Sequence, residues 1–190
     1  MPPKVKVSKE DIKTAAVEMV RESGAEALNA RALAAKLGCS TQPIFSNFSS
    51  MEEIRGEVIR LADGLYQSYI KNEVESGKYP PFKASGMAYI RFAKDEKELF
   101  KLLFMRDRTG EEIGNGGEAG EKIVEMVMKS TGLDRKKAYM FHLEMWIYVH
   151  GIATMLATGY LNWDWEIISK MLTDAYCGMK ERYSAGEKEK

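Results

Sequence analysis

Apolar positions recur at helical spacing along nearly the whole chain. Ile12, Ala15, Ala16, Met19 and Val20 form one stripe. Ser8, with Asp11 three residues on, makes a capping-box pattern ahead of that stripe, and Gly24 closes it. The stretch NARALAAKLGCSTQPIFSNF, residues 29 to 48, then predicts two short helices across a tight turn. Asn29 is a suitable N-cap, because its side-chain oxygen can accept a backbone N–H of the first turn. Leu33 and Leu37 stand at i and i+4, and Gly38 follows where a helix ends most easily in the left-handed conformation. Ser40 or Thr41 caps the second helix, and Pro43 sits in its first turn, where a missing N–H costs little. Ile44 and Phe48 face inward at i and i+4, which leaves Thr41, Gln42, Ser46 and Asn47 outward. Short helices joined by a Gly-containing turn, the second one polar and uncharged outside, match the helix-turn-helix geometry of DNA-binding proteins.

The same spacing carries on downstream. Ser50, supported by Glu52 and Glu53, opens a helix reaching about Ser76, with Ile54, Val58, Leu61, Leu65 and Tyr69 on one side. At 1.5 Å per residue it is about 40 Å long. GKYPPF, residues 77 to 82, breaks the pattern. Helices follow over 82–94 and 96–106, the second apolar through Leu99, Leu102, Leu103 and Met105 or Phe104. Five glycines between 107 and 120 (Gly110, Gly114, Gly116, Gly117 and Gly120) predict a flexible loop. A short helix over 121–130, a long one capped by Asp134 to about Thr158, and a last one from about Asn162 to Tyr183 complete the chain between a short arm and a charged tail. Long alternating runs of β-branched and aromatic residues are missing. The prediction is an all-α protein of about nine helices: a three-helix helix-turn-helix domain over 1–50 and a helical domain over 51–190.

Composition sharpens this picture in a few places. The chain has 190 residues, 45% hydrophobic and 29% charged, with zero formal net charge. That neutrality weighs against nucleic-acid binding through a broadly basic domain. Locally, Lys4, Lys6, Lys9 and Lys13 face only Glu10 and Asp11, and Arg31 and Lys36 lie in the motif. Cys39 and Cys177 suit reduced thiols in a cytoplasmic protein and leave a bridge between them open. The N-terminus lacks an apolar signal region, and no run approaches the roughly 20 apolar residues of a membrane span.

Catalysis and metal binding find little support. His142, Trp146 and His150 share one side of the penultimate helix. The two histidines are about 12 Å apart along its axis, too far to hold one ion. There is no phosphate loop and no nucleophile motif. No catalytic residue, metal or cofactor is expected, and His150 is read as a core histidine bonded to a backbone carbonyl. Twelve Met, nine Tyr, seven Phe and three Trp suit a pocket for a small apolar or amphipathic effector, with Phe104, His142, Met145 and Trp146 as candidate contacts.

From about Ser8 to Leu61 the chain resembles the tetracycline-repressor-like (TetR) family of transcriptional regulators. The likeness is carried by SGAEALNARALAAKLG, by the short second motif helix and by IFSNFSSMEEI. WIYVHGIATML, residues 146 to 156, is similar to the Trp-x-x-x-His-Gly signature of one TetR subgroup. The resemblance implies a ligand-responsive regulator, in most cases a repressor, that pairs through its last two helices and binds near-palindromic duplex DNA. It brings Arg31 to the site and sets Asn29, Phe45 and Asn47 against the sugar-phosphate strands. Gln42 can bond adenine in pairs, and Thr41 and Ser46 can reach either base pair. The expected DNA-binding set is therefore Asn29, Arg31, Ser40, Thr41, Gln42, Phe45, Ser46 and Asn47. The chain departs from the family in having Asn47 where His is usual and Met51 where Lys is usual. The rival reading is a protein-interaction module of the same fold without DNA binding.

Overall fold

The computed structural model describes residues 7–107, 109 and 117–185. The expected arm over 1–6, most of the glycine-rich stretch and the end of the tail lie outside the described residues. Among those described there are nine α-helices: α1 Lys9–Ser23, α2 Ala30–Lys36, α3 Thr41–Asn47, α4 Met51–Glu75, α5 Pro81–Asp95, α6 Lys97–Phe104, α7 Gly117–Thr131, α8 Arg135–Ala157 and α9 Trp165–Ala185. None of them is long and apolar enough to cross a membrane.

The helix starts follow local chemistry. Ser8 accepts from Asp11 N–H while Asp11 accepts from Ser8 N–H at 2.9 Å, a closed capping box. Those bonds from Ser8 hold the Asp11 carboxyl below its ordinary pKa. Asn29 accepts from Ala32 N–H at 3.0 Å, and Asp134 accepts from Lys137 N–H at 3.0 Å. At α4 the box is shared by two serines: Ser50 accepts from Glu53 N–H, and the Glu53 carboxylate takes both Ser49 N–H and the Ser49 hydroxyl. Asp164 accepts from Ile167 N–H, so α9 begins three residues later than the apolar pattern alone implied.

The chain divides into two compact units. The first holds the residues up to Ser68 together with Asp95–Arg106. Within it α1 packs on α2, α3 and α6. Ile12, Ala16, Leu33, Ile44, Ile54 and Leu99 lose all solvent contact there. The unit reaches past the expected boundary at residue 50, because α6 packs on α1 and Arg21 bonds Glu96 at 2.7 Å. Gly24 sits at φ +80°, and a Cβ there would lie 3.1 Å from Glu98 Oε2, so both backbone and space favour glycine. On α6 the fully buried residues are Leu99 and Phe100, while Met105 is exposed.

The second unit holds Tyr69–Lys94 and the residues from Asp107 on. Here α8 packs on α7 and α9. Val124, Val127, Leu133, Ala138, Phe141 and Met145 form one core cluster, flanked by Phe82, Tyr176, Met179 and Tyr183. α7 starts at Gly117, ahead of the expected Glu121. Two glycines in its first turn cost about 1 kcal/mol each against alanine. Burial of Val124 and Val127 against α8 exceeds that.

Candidate nucleic-acid interface

α3 has seven residues, TQPIFSN, and only Ile44 among them is buried. Ile44 and Phe48 seat the helix, and Gly38 at φ +63° makes the turn before it. Ser40 occupies the N-cap with extended backbone but makes no side-chain cap bond, so its exposed hydroxyl stays available to a ligand.

The outward residues divide by what their side chains already do. Gln42 is exposed, with no side-chain partner among the described residues. Phe45 is 47% exposed, an unusual position for an aromatic that serves only packing. Ser46 donates to Gln42 O at 2.9 Å, and Thr41 is half-buried. Asn47 donates to Pro43 O at 2.8 Å and to Val7 O at 3.5 Å, so its amide N–H groups are spent on the protein. Asn29 is used at both ends, its nitrogen donating to Ala27 O while its oxygen caps α2.

Charge is distributed less simply than the sequence implied. Residues 1–50 carry seven Lys and Arg against five Asp and Glu. Most of the described cations in the first unit are already paired. Lys9 meets Glu53 and lies over the Phe48 ring, and Lys13 meets Glu10 and Glu57. Lys36 lies between Glu18 and Glu22, and Arg55 meets Glu52 and Leu28 O. Arg31 is exposed and has no carboxylate partner among the described residues. The spacing of Glu18 and Glu22 at i and i+4 was the available sign that Lys36 would be neutralised. The Arg21–Glu96 pair had none.

The effector candidates are placed differently from one another. Phe104 belongs to the first unit and packs edge-on to Tyr66. Burial holds the Tyr66 hydroxyl protonated well past its ordinary range. Met145 is a buried member of the α7–α8 core. Trp146 is exposed and stacks on His150, with ring centroids 5.3 Å apart. His150 Nδ1 shares a 2.8 Å hydrogen bond with the Tyr89 hydroxyl of α5, in place of the expected backbone carbonyl. His142 lies edge-on to Phe82, and its Nδ1 is buried without a hydrogen-bond partner among the described residues.

Burial pushes the His142 imidazole below its ordinary pKa, which favours the neutral ring. Above a pH of about 6.5 the ring is neutral whether folded or unfolded. As pH falls below that value the unfolded chain takes up the proton first, so stability declines until the depressed folded pKa is passed. His150 is shifted in the same direction by the same cause. The thermal midpoint is expected to drop between pH 6.5 and 5.5, and His142→Leu is expected to flatten that slope. Equal slopes in both proteins would assign the drop elsewhere.

Comparison with known proteins gives three findings. Residues 82–175 match the family model described as "Tetracyclin repressor-like, C-terminal domain". The chain is 26% identical over 191 residues to an uncharacterized HTH-type transcriptional regulator of Mycobacterium tuberculosis, covering 95% of this chain and 85% of that protein. Its fold is similar to the crystal structure of a TetR-like transcriptional regulator from Rhodococcus sp. RHA1, with a TM-score of 0.66 and 15% identity over 98% of this chain and 99% of the other.

Proposed function

We infer that this chain, a tetracycline-repressor-like domain over residues 82–175, is as a whole a DNA-binding transcriptional regulator of the TetR family, in the cytoplasm and without enzymatic activity. The observation that carries this is α3, which buries one residue of seven and holds Gln42 and Phe45 in solvent, while Arg31 of α2 is exposed with no carboxylate partner among the described residues. A helix kept only for the core would hide that ridge or clothe it in charge. In this reading α3 enters a major groove, and two copies meet the two halves of a near-palindromic site.

The second copy is proposed to pair through α8 and α9. From Tyr139 to Thr158 the only formal charge on α8 is Glu144, and that carboxylate is bonded to Arg182 and Tyr183 of α9. Met140, Trp146, Ile147 and Met155 of α8 and Ile167 of α9 are exposed. Gly151 and Thr154 lie among them and allow close helix approach. The WIYVHG signature of the proposed TetR subgroup falls on this helix, with Trp146 stacked on His150.

An apolar or amphipathic effector is proposed to relieve repression. His142 supports this, since a ligand hydroxyl would satisfy its buried Nδ1. Such a ligand works by population shift and must prefer one arrangement of the paired heads. The ion-paired lysines of the first unit favour the rival reading, an interaction module without DNA. A salt titration of duplex binding separates the two. Binding through phosphates weakens with a log–log slope of about −0.9 per neutralised phosphate. The slope is expected to be shallow, since most head cations already face carboxylates. Duplex affinity indifferent to salt, or absent at low salt, would favour the rival.

A further inference from the structure

The uncharged face of α3 restricts what it can read. In the major groove guanine presents two acceptors and is matched by Arg or Lys. Cytosine presents a donor matched by Asp or Glu. Adenine pairs bidentately with Asn or Gln, and the thymine methyl takes apolar contact. α3 carries no Lys, Arg, Asp, Glu or His. Of its two amides, Asn47 spends its N–H donors on Pro43 O and Val7 O and keeps none for a base. Gln42 keeps both its donor and its acceptor. Phe45 stands three residues on, beside Gln42 on the same ridge, and is 47% exposed. A phenyl ring has no donor with which to hold a phosphate oxygen, whereas it suits a thymine methyl. Ser46 and Thr41 can serve either base pair and add no preference. On α2, Lys36 is tied to Glu18 and Glu22, which leaves Arg31 as the cation of α2 and α3 able to bond guanine.

We propose that the half-site facing α3 is an A·T segment, an adenine read by Gln42 beside a thymine read by Phe45, with guanine recognition confined to Arg31. This rests on the reading of α3 as a major-groove helix and deepens it. The regulator would sort its sites by amide and methyl contacts, with little help from charge.

The test starts from duplexes enriched from a random library by the full-length protein at low salt. The position whose preference relaxes in Gln42→Ala marks the base that α3 faces. That position is expected to be A·T, with affinity falling roughly 5- to 150-fold in the variant. Replacing the marked adenine by 7-deazaadenine removes the N7 acceptor and needs no protein variant, so it reads the same contact even where Gln42→Ala folds poorly. Exchanging the neighbouring thymine for uracil removes one methyl and should weaken wild-type binding about fourfold. The exchange should leave Phe45→Ala unaffected. An enriched inverted repeat with G·C at the marked position, or one indifferent to 7-deazaadenine and uracil, would overturn this assignment while leaving DNA binding in place. Failure to enrich any repeat would instead overturn the DNA-binding reading beneath it.

Discussion

Ile147→Glu is expected to convert the protein to a monomer that no longer holds a palindromic duplex. Ile147 is 61% exposed on α8, the most exposed aliphatic side chain of that helix, and the charged neighbour one turn before it, Glu144, is already bonded to Arg182 and Tyr183. A carboxylate there costs little in an isolated chain, because water still reaches it and its repulsion with Glu144 one turn away is worth only about 0.2–0.5 kcal/mol. In the proposed pair it would be buried against an apolar partner surface, and an unpaired buried charge costs several kcal/mol. At about 1.4 kcal/mol per decade, a cost of about 4 kcal/mol weakens association near a thousandfold. Sedimentation equilibrium reads the dimer and circular dichroism checks that the helices persist. Wild-type association by a fully helical Ile147→Glu protein would move the interface away from this face of α8.

Ile44→Ala is expected to cost about 2–5 kcal/mol, the usual range for emptying a fully enclosed aliphatic site. α3 has seven residues, too few to hold helical structure in water by its own hydrogen bonds. It persists because Ile44 and Phe48 are packed beneath it, with 0% and 2% exposure. Ile44→Val removes one methylene and should cost about 0.5–1.5 kcal/mol. Urea unfolding of the three proteins gives the two differences, and duplex affinity should fall in the same order. A loss under about 0.5 kcal/mol for Ile44→Ala would mean that something other than this side chain seats the reading helix.

The elements were legible where their causes are local. Ser8 with Asp11, Asn29 and Asp134 start helices through bonds reaching three residues on, and that spacing can be read directly. Gly117 and Gly120 misled, because their propensity argues for a loop while the valines of α7 gain more by packing on α8. The extension of the first unit to α6 had no local sign, since Arg21 and Glu96 meet across 75 positions. The site shows the same divide. The inward turn of Ile44 and Phe48, and hence the outward turn of Gln42, follow from helical period. Period cannot show that Ser46 and Asn47 bond back to their own helix, nor that Tyr89 meets His150. Side-chain to backbone bonds of this kind compete with solvent and ligand alike. They therefore narrow a candidate set that sequence alone leaves wide.

In the proposed regulator two copies of α3 read duplex DNA together. Sequence selection from random duplexes with the purified full-length protein at low salt tests it most directly. The expected result is enrichment of an inverted repeat whose half-site centres lie about 10 base pairs or a multiple of that apart, one helical turn per step. Sequences that remain unenriched through successive rounds, while the protein stays folded and helical, would contradict it.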